Sequence, residues 1–260
     1  MYSNKGQTHY QPISWEDAFA KISEKLRSLS SPHKAAFYTS GRTSNEAAFL
    51  YQAFVRMYGT NNLPDCSNMC HESSGMALIS TIGIGKGTVS LADFNVADTI
   101  LVIGQNPGTN HPRMLTALRD AKENGANIIH INPLTETGLV RFKHPQDYMK
   151  LNFSSTKLSD IHIPIKIGGD AALFQAVNKI IIESGKIDEK FIENKTKNYA
   201  QYQESLRNLD WQRVTQDTGV SRVEIEEVAE LLLNSKSIIS CWAMGLTPVS
   251  YTHLTLPTKA

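Results

Sequence analysis

A thiol and an imidazole stand side by side at Cys70 and His71, at the end of the turn-rich segment 61–72. A cysteine thiolate is a soft ligand that suits a metal ion, and an imidazole beside it titrates close enough to neutral pH to move a proton. A lone cysteine in a globular protein is also commonly a small buried hydrophobic residue. From residue type alone, Cys70 is therefore either a metal ligand or a packed thiol.

The composition predicts a globular protein and excludes several classes of partner. Of the 260 residues, 41% are hydrophobic and 20% charged, which is enough for one large or two modest domains. The formal charge of +1 gives no reason to expect nucleic acid or an anionic membrane surface as a partner. No apolar run reaches the roughly 18 residues of a membrane span. Three cysteines are too few for a disulfide framework, so we expect a cytoplasmic protein.

Helical and strand patterns alternate along the chain and predict an α/β fold. A capping box at Ser14 begins a helix with apolar residues at helical spacing. A strand at 99–104, a helix at 113–124 and a strand at 126–132 form a crossover unit, whose two strands must be parallel. Further strands are predicted at 34–39, 163–167 and 238–242, and further helices at 45–58, 169–184, 188–195, 201–209 and 221–234. The series favours doubly wound, mostly parallel sheets flanked by helices.

Polar residues follow several predicted strands, at the edge where an open parallel sheet binds its ligands. The loop 104–112 is rich in small residues that let a phosphate approach the backbone, although it lacks the Gly-x-Gly-x-x-Gly pattern of an ordinary NAD site. Asn132 could read a ribose or a base edge, and Asp170 is either a helix N-cap or an acceptor for guanine or ribose. Together these strand ends favour a nucleotide site.

Seven motifs, in their order along the chain, resemble those of the molybdopterin oxidoreductase family, and within it those of the branch of formate dehydrogenase alpha subunits. The motifs are residues 38–46, 59–62, 66–71, 103–112, 131–133, 168–170 and 242–247, and the resemblance runs from about Tyr10 to Thr247. Members of this branch carry a molybdenum bis(molybdopterin guanine dinucleotide) cofactor. The resemblance thus implies an oxidoreductase that removes two electrons and one proton from formate or a similar small molecule.

The resemblance also assigns roles to particular positions. Cys70 matches the residue that ligates molybdenum, and His71 matches the neighbouring residue that accepts or relays the substrate proton. Cys66 matches a position without a metal role and is expected to pack. The residues expected to contact the cofactor are Arg42, Gly104, Asn106, Thr109, Asn110, Asn132, Pro133, Asp170, Met244 and Gly245.

Departures from the family pattern indicate an incomplete enzyme. The cysteine-bearing domain that binds a [4Fe–4S] cluster in such enzymes has no match here, and the substrate-binding arginine and the C-terminal domain are also unmatched. Glu72 replaces the glycine that usually follows the Cys-His pair, which leaves formate as the leading substrate rather than an assigned one. We expect a lead-in at 1–30, α/β segments at 31–160 and 161–247, and a non-native tail at 248–260. The electron acceptor and partner subunits are not specified by the sequence.

Two other classes of protein stay open at this point. A zinc module could use Cys66, Cys70 and His71, but a tetrahedral structural site needs a fourth ligand, and adjacent residues seldom reach the same ion. A non-catalytic nucleotide-binding α/β protein would keep the polar strand ends while Cys70 stayed an inert thiol. Molybdenum in the purified protein distinguishes the redox enzyme from both.

Overall fold

The structure is a computed structural model that describes residues 1–39, 43–64, 70–146, 155–243 and 245. The chain divides into two compact units, Met1–Cys70 and His71–Ala260. The boundary between the units falls within the Cys70-His71 pair. The segment limits expected from the sequence, at residues 30, 160 and 247, stay predictions.

The first unit is built on two helices, α1 (Trp15–Arg27) and α2 (Asn45–Tyr58). The Ser14 hydroxyl accepts a hydrogen bond from the Asp17 amide at 3.0 Å, so α1 begins at the predicted cap. Gly59 ends α2 at a φ of 105°, a conformation that favours glycine.

The strand predicted at 34–39 is wrong. The chain forms a short 3₁₀ helix at Pro32–Lys34 and then runs on without a ladder partner in the part that the structure describes. The Phe37 amide donates a hydrogen bond to the Asn62 carbonyl at 2.9 Å. Its buried ring meets the edges of Tyr51, Phe54 and Tyr58, so the apolar run packs on α2 instead of joining a sheet.

The second unit contains a four-stranded sheet in the order β3-β2-β1-β4, in which every neighbouring pair is parallel. The strands are β1 (Thr99–Ile103), β2 (Asn127–Ile131), β3 (Ile161–Ile163) and β4 (Ile238–Trp242). The predicted parallel sheet is therefore confirmed. The third strand lies earlier than the predicted 163–167, because Pro164 has no N–H to continue the ladder.

Helices cover both faces of the sheet, as the doubly wound class requires. The helices that the structure describes in the second unit are α3 (Glu72–Ile82), α4 (Pro107–Asn110), α5 (Pro112–Glu123), α6 (Thr137–Val140), α7 (Asp170–Glu183), α8 (Glu189–Lys195), α9 (Tyr199–Arg207), α10 (Trp211–Thr218) and α11 (Arg222–Leu233). Leu118 of α5 packs on Ile100 and Ile128, on one face. Leu173 of α7 and Val228 of α11 pack with Ile129 on the other. The sequence patterns did not predict α3, α4, α6 or α10.

Candidate functional site

The ends of β1 and β4 meet backbone to backbone. Gly104 follows β1 at a φ of 54°, and its carbonyl accepts a hydrogen bond from the Gly245 amide at 2.9 Å. A Cβ on Gly245 would lie 2.6 Å from the Gly104 Cα and carbonyl oxygen. The chain leaves β1 toward β2 on one side and returns to β4 on the other, so this contact lies at the switch point of the sheet. Two residues expected at the cofactor from separate motifs are thus brought together.

His71 stands at the start of α3. It occupies the N-cap position, where its carbonyl accepts from the Gly75 amide at 2.9 Å while its exposed side chain makes no capping bond. In the first turn, Ser74 Oγ accepts a hydrogen bond from Trp242 Nε1 at 3.1 Å. This bond fixes the beginning of α3, and hence His71, to the carboxyl end of β4.

The two cysteines that the structure describes have different settings. Cys70 is half-buried and is the last residue of the first unit. Burial raises the pKa of Cys241, on β4, to about 11, so its thiol stays protonated at neutral pH. Cys66 lies outside the described residues, as do Arg42 and Met244. Within the described ranges no three His, Cys, Asp or Glu side chains converge on a metal position.

A cavity of about 450 Å³ opens between the loops that follow β1 and β2. It is lined by Asn106, Gly108, Thr109, Leu115, Leu134, Thr135, Glu136, Thr137 and Gly138. Asn106 and Thr109 were predicted at the cofactor, whereas Asn110 and Pro133 are exposed and do not line this cavity. Thr135, Glu136 and Thr137 were missed. The signal for them was present, because this polar run directly follows a strand end.

Glu136 places a buried carboxylate beside the cavity. It is 8% exposed, and its Oε2 accepts from the Leu139 amide at 3.0 Å, which caps α6. A Cβ on Gly108 would collide with Glu136 Oε1, and a Cβ on Gly138 would lie 3.0 Å from Glu136 Oε2. The two glycines therefore leave the space that the carboxylate occupies.

Asn132 makes its side-chain hydrogen bonds within the protein. Its Nδ2 donates to Asn106 Oδ1 at 2.7 Å and to the Gln105 carbonyl at 3.3 Å, while its Oδ1 accepts from the Leu134 amide at 3.3 Å. Asn132 thus connects the two loops and orients Asn106. Gln105 directly precedes Asn106, and its Oε1 is buried without a hydrogen-bond partner among the described residues.

Asp170 lies apart from the cavity lining. Gly169 is the N-cap of α7 and Asp170 is the first helical residue, so of the two roles considered for Asp170 the N-cap is excluded and the acceptor role stays a prediction. Burial raises the pKa of the Asp170 carboxyl. A Cβ on Gly169 would lie 2.9 Å from the Thr218 Cα, so this glycine permits the start of α7 to pack on the end of α10.

The sequence matches the family model described as molybdopterin oxidoreductase over residues 2–249. The chain belongs to the molybdopterin oxidoreductase family. An uncharacterized oxidoreductase of Mycobacterium bovis is 47% identical over 262 residues, which cover 98% of this chain and 34% of the relative. Formate dehydrogenase H of Escherichia coli is 28% identical over 242 residues, which cover 91% of this chain and 32% of that enzyme.

A solved structure supports the fold of this family member. Acetylene hydratase from Pelobacter acetylenicus aligns with a TM-score of 0.57 at 22% identity, over 94% of this chain and 31% of that one. The chain spans about a third of the length of the curated relatives it matches. None of the helices in the described ranges combines the length and apolar character needed to cross a bilayer.

Family membership implies a molybdopterin cofactor, and the described site fits a nucleotide-bearing one. The glycine contact between Gly104 and Gly245 keeps side chains away from the strand ends, where a ligand can approach the backbone. The adjacent cavity combines amide, hydroxyl and carboxylate groups with the buried side chain of Leu115. Gln105 Oε1 is a buried acceptor without a partner in the described structure. These are donors and acceptors of the kind that a nucleotide requires.

Proposed function

We propose that the chain forms part of a molybdenum bis(molybdopterin guanine dinucleotide)-dependent oxidoreductase that oxidises formate or a similarly small substrate. The observation that carries the proposal is the convergence of separate family motifs on one edge of the sheet. The loops after β1 and β2 enclose the cavity, and the Trp242 to Ser74 bond attaches the helix that begins at His71 to the same edge. The likeness to formate dehydrogenase H supports formate as the substrate.

The cavity suits the guanosine part of such a cofactor. Among the residues that the structure describes, its lining includes no lysine or arginine, so these residues offer no cation to a pyrophosphate. It does offer the Glu136 carboxylate, the Asn106 amide and the threonine hydroxyls. Guanine presents two adjacent N–H donor groups at its Watson–Crick edge, which a buried carboxylate can accept. We therefore assign Glu136 to the base and the threonines to the ribose.

Cys70 and His71 divide the chemistry between them. The Cys70 thiolate would hold the molybdenum of the bound cofactor, and that metal would supply a centre able to take up an electron pair. His71 would accept the proton that leaves the substrate, because its side chain is exposed and is not engaged in capping α3. In the complete protein, a [4Fe–4S] cluster and a redox partner would carry the electrons onward.

X-ray absorption at the molybdenum edge tests this proposal. The complete polypeptide that carries these residues is purified from a host that makes the cofactor, together with Cys70→Ser and the control Cys241→Ser. The signal of the protein sulfur ligand should disappear in Cys70→Ser and persist in Cys241→Ser, whose thiol is protonated at neutral pH. Protein without molybdenum or pterin would overturn the redox function. Guanine nucleotide bound without metal would instead support a non-catalytic nucleotide-binding protein.

His71→Ala tests the proton transfer separately. Loss of a general base lowers turnover by about 10²- to 10⁴-fold, and molybdenum content should stay close to that of the wild type. Equal losses of turnover and of molybdenum would show that His71 has a structural role instead.

A further inference from the structure

Two histidine rings stack on one face of the sheet. His130 on β2 and His162 on β3 are register partners, with ring centroids 4.9 Å apart and planes inclined by 23°. His130 is 1% exposed, and its buried Nε2 has no hydrogen-bond partner in the described structure. A buried nitrogen without a partner destabilises a fold, so an apolar side chain would suit this core position better. What His130 does provide is a flat surface for His162.

His162 bridges the two ends of a short segment. Its Nε2 lies 3.1 Å from the Asn132 carbonyl, and its Nδ1 lies 3.5 Å from Thr135 Oγ1. Because a carbonyl oxygen only accepts, Nε2 carries the hydrogen of this contact, and in the tautomer with its hydrogen on Nε2 the other nitrogen, Nδ1, accepts from the hydroxyl. The ring therefore holds the chain where it turns away from β2.

The segment held by His162 forms the wall of the cavity. Residues 134–138 line it, and the Asn132 side chain reaches across to Asn106 on the opposite wall. Burial, and then the charge of His162, lower the pKa of His130 to about 4, so the ring beneath His162 is neutral near pH 7. A neutral partner can stack on His162 without electrostatic repulsion.

We propose that His162, supported by stacking on His130, is a positioning residue that sets the loop after β2, and with it Asn106 and Thr135, for nucleotide binding. This rests on the proposed function in one respect, namely that the cavity receives a guanine nucleotide. The role needs a ring that stacks and two nitrogens on different edges. Phenylalanine retains only the stacking, whereas glutamine retains a terminal amide donor.

The test compares His162→Phe with His162→Gln, using GDP as the probe. Calorimetry gives the GDP dissociation constant, amide hydrogen exchange follows residues 132–138, and thermal unfolding without GDP reports the fold. His162→Phe should weaken GDP binding about five- to tenfold and speed exchange in this segment, which is the effect of losing a hydrogen bond. His162→Gln should lie closer to the wild type in both measurements.

Each outcome bears on the proposal. Unchanged GDP affinity and unchanged exchange in His162→Phe would overturn it. Equal losses in both variants, with equally lowered unfolding temperatures, would show a merely structural ring and would also overturn it. A wild type that does not bind GDP would contradict the guanine nucleotide assignment, while faster exchange of 132–138 in His162→Phe alone would still support the positioning role.

Discussion

Trp242 donates a hydrogen bond from Nε1 to Ser74 Oγ, 168 residues earlier in the chain, at 3.1 Å. The half-buried indole packs against the core of the sheet, so the donor is held in place by its ring. The bond connects the strand that leads to Gly245 with the helix that begins at His71. The bond thereby ties the helix that follows the third of the seven motifs to Trp242, the first residue of the seventh.

Removal of this hydrogen bond should lower the stability of the folded protein measurably. Trp242→Phe keeps most of the ring packing and deletes the donor, so we expect the free energy of unfolding to fall by about 1 kcal/mol. Urea unfolding of Trp242→Phe, Ser74→Ala and the double variant gives the coupling energy. Ser80→Ala is the control, because its hydroxyl donates within α3, to the Ala77 carbonyl. A coupling energy of zero would contradict the role assigned to the bond.

Gly245→Ala should push apart the chain segments that follow β1 and β4. The new Cβ would meet backbone atoms of Gly104 at 2.6 Å, which no side-chain rotation can relieve. We expect a loss of about 1–3 kcal/mol in unfolding free energy, typical of overpacking, together with weaker GDP binding. Gly87→Ala is the matched control, since a Cβ there meets nothing within 4 Å. Similar behaviour of the two alanine variants would disprove the close approach.

His130 should make stability depend on pH. Its pKa falls from 6.5 to about 4 in the folded protein, through burial first and the charge of His162 second. The unfolded chain therefore binds a proton more readily than the folded one, and stability is lost as pH drops from about 6.5 towards 4. The loss amounts to at most about 3 kcal/mol for this shift.

Urea unfolding at a series of pH values checks this dependence. His130→Phe lacks the titrating group and should lose less unfolding free energy than the wild type between about pH 6.5 and pH 4. His9→Phe, at an exposed position in the first unit, should follow the wild type. Parallel curves for the wild type and His130→Phe would refute the assignment.

Lys179, on α7, donates hydrogen bonds to the last carbonyl groups of α9. Its buried amine donates to the Leu206 and Arg207 carbonyls at 2.9 and 3.0 Å, at the end of α9, and pairs with Glu183 at 2.8 Å. Lys179→Met would leave both carbonyls without this donor, and we expect a loss of about 2 kcal/mol in unfolding free energy. Lys190→Met, at an exposed position on α8, should change little. Denaturation that ranks the two variants equally would contradict the capping role.

Local signals predicted those elements whose ends are set by local chemistry. Helix α2 has the predicted bounds because Ser44 caps its start and Gly59 its end. The strand predicted at 34–39 was wrong because a strand needs a partner to pair with, and a local apolar run does not show whether one is present. At the site, Asn106 and Thr109 were predicted and line the cavity. Glu136 was missed because its burial depends on the room left by Gly108, which only the folded chain reveals.

The parallel pairing of β1 with β4 determines when, during synthesis of the chain, the sheet can be completed. Asp98, just before β1, bonds through its backbone amide to the Ser237 carbonyl at 3.0 Å, across 139 residues of chain. On the ribosome, the contact between Gly104 and Gly245 cannot form until nearly all of the printed sequence has emerged from the exit tunnel. A cofactor that binds across both strand ends must accordingly be inserted late, after this part of the chain has been synthesised.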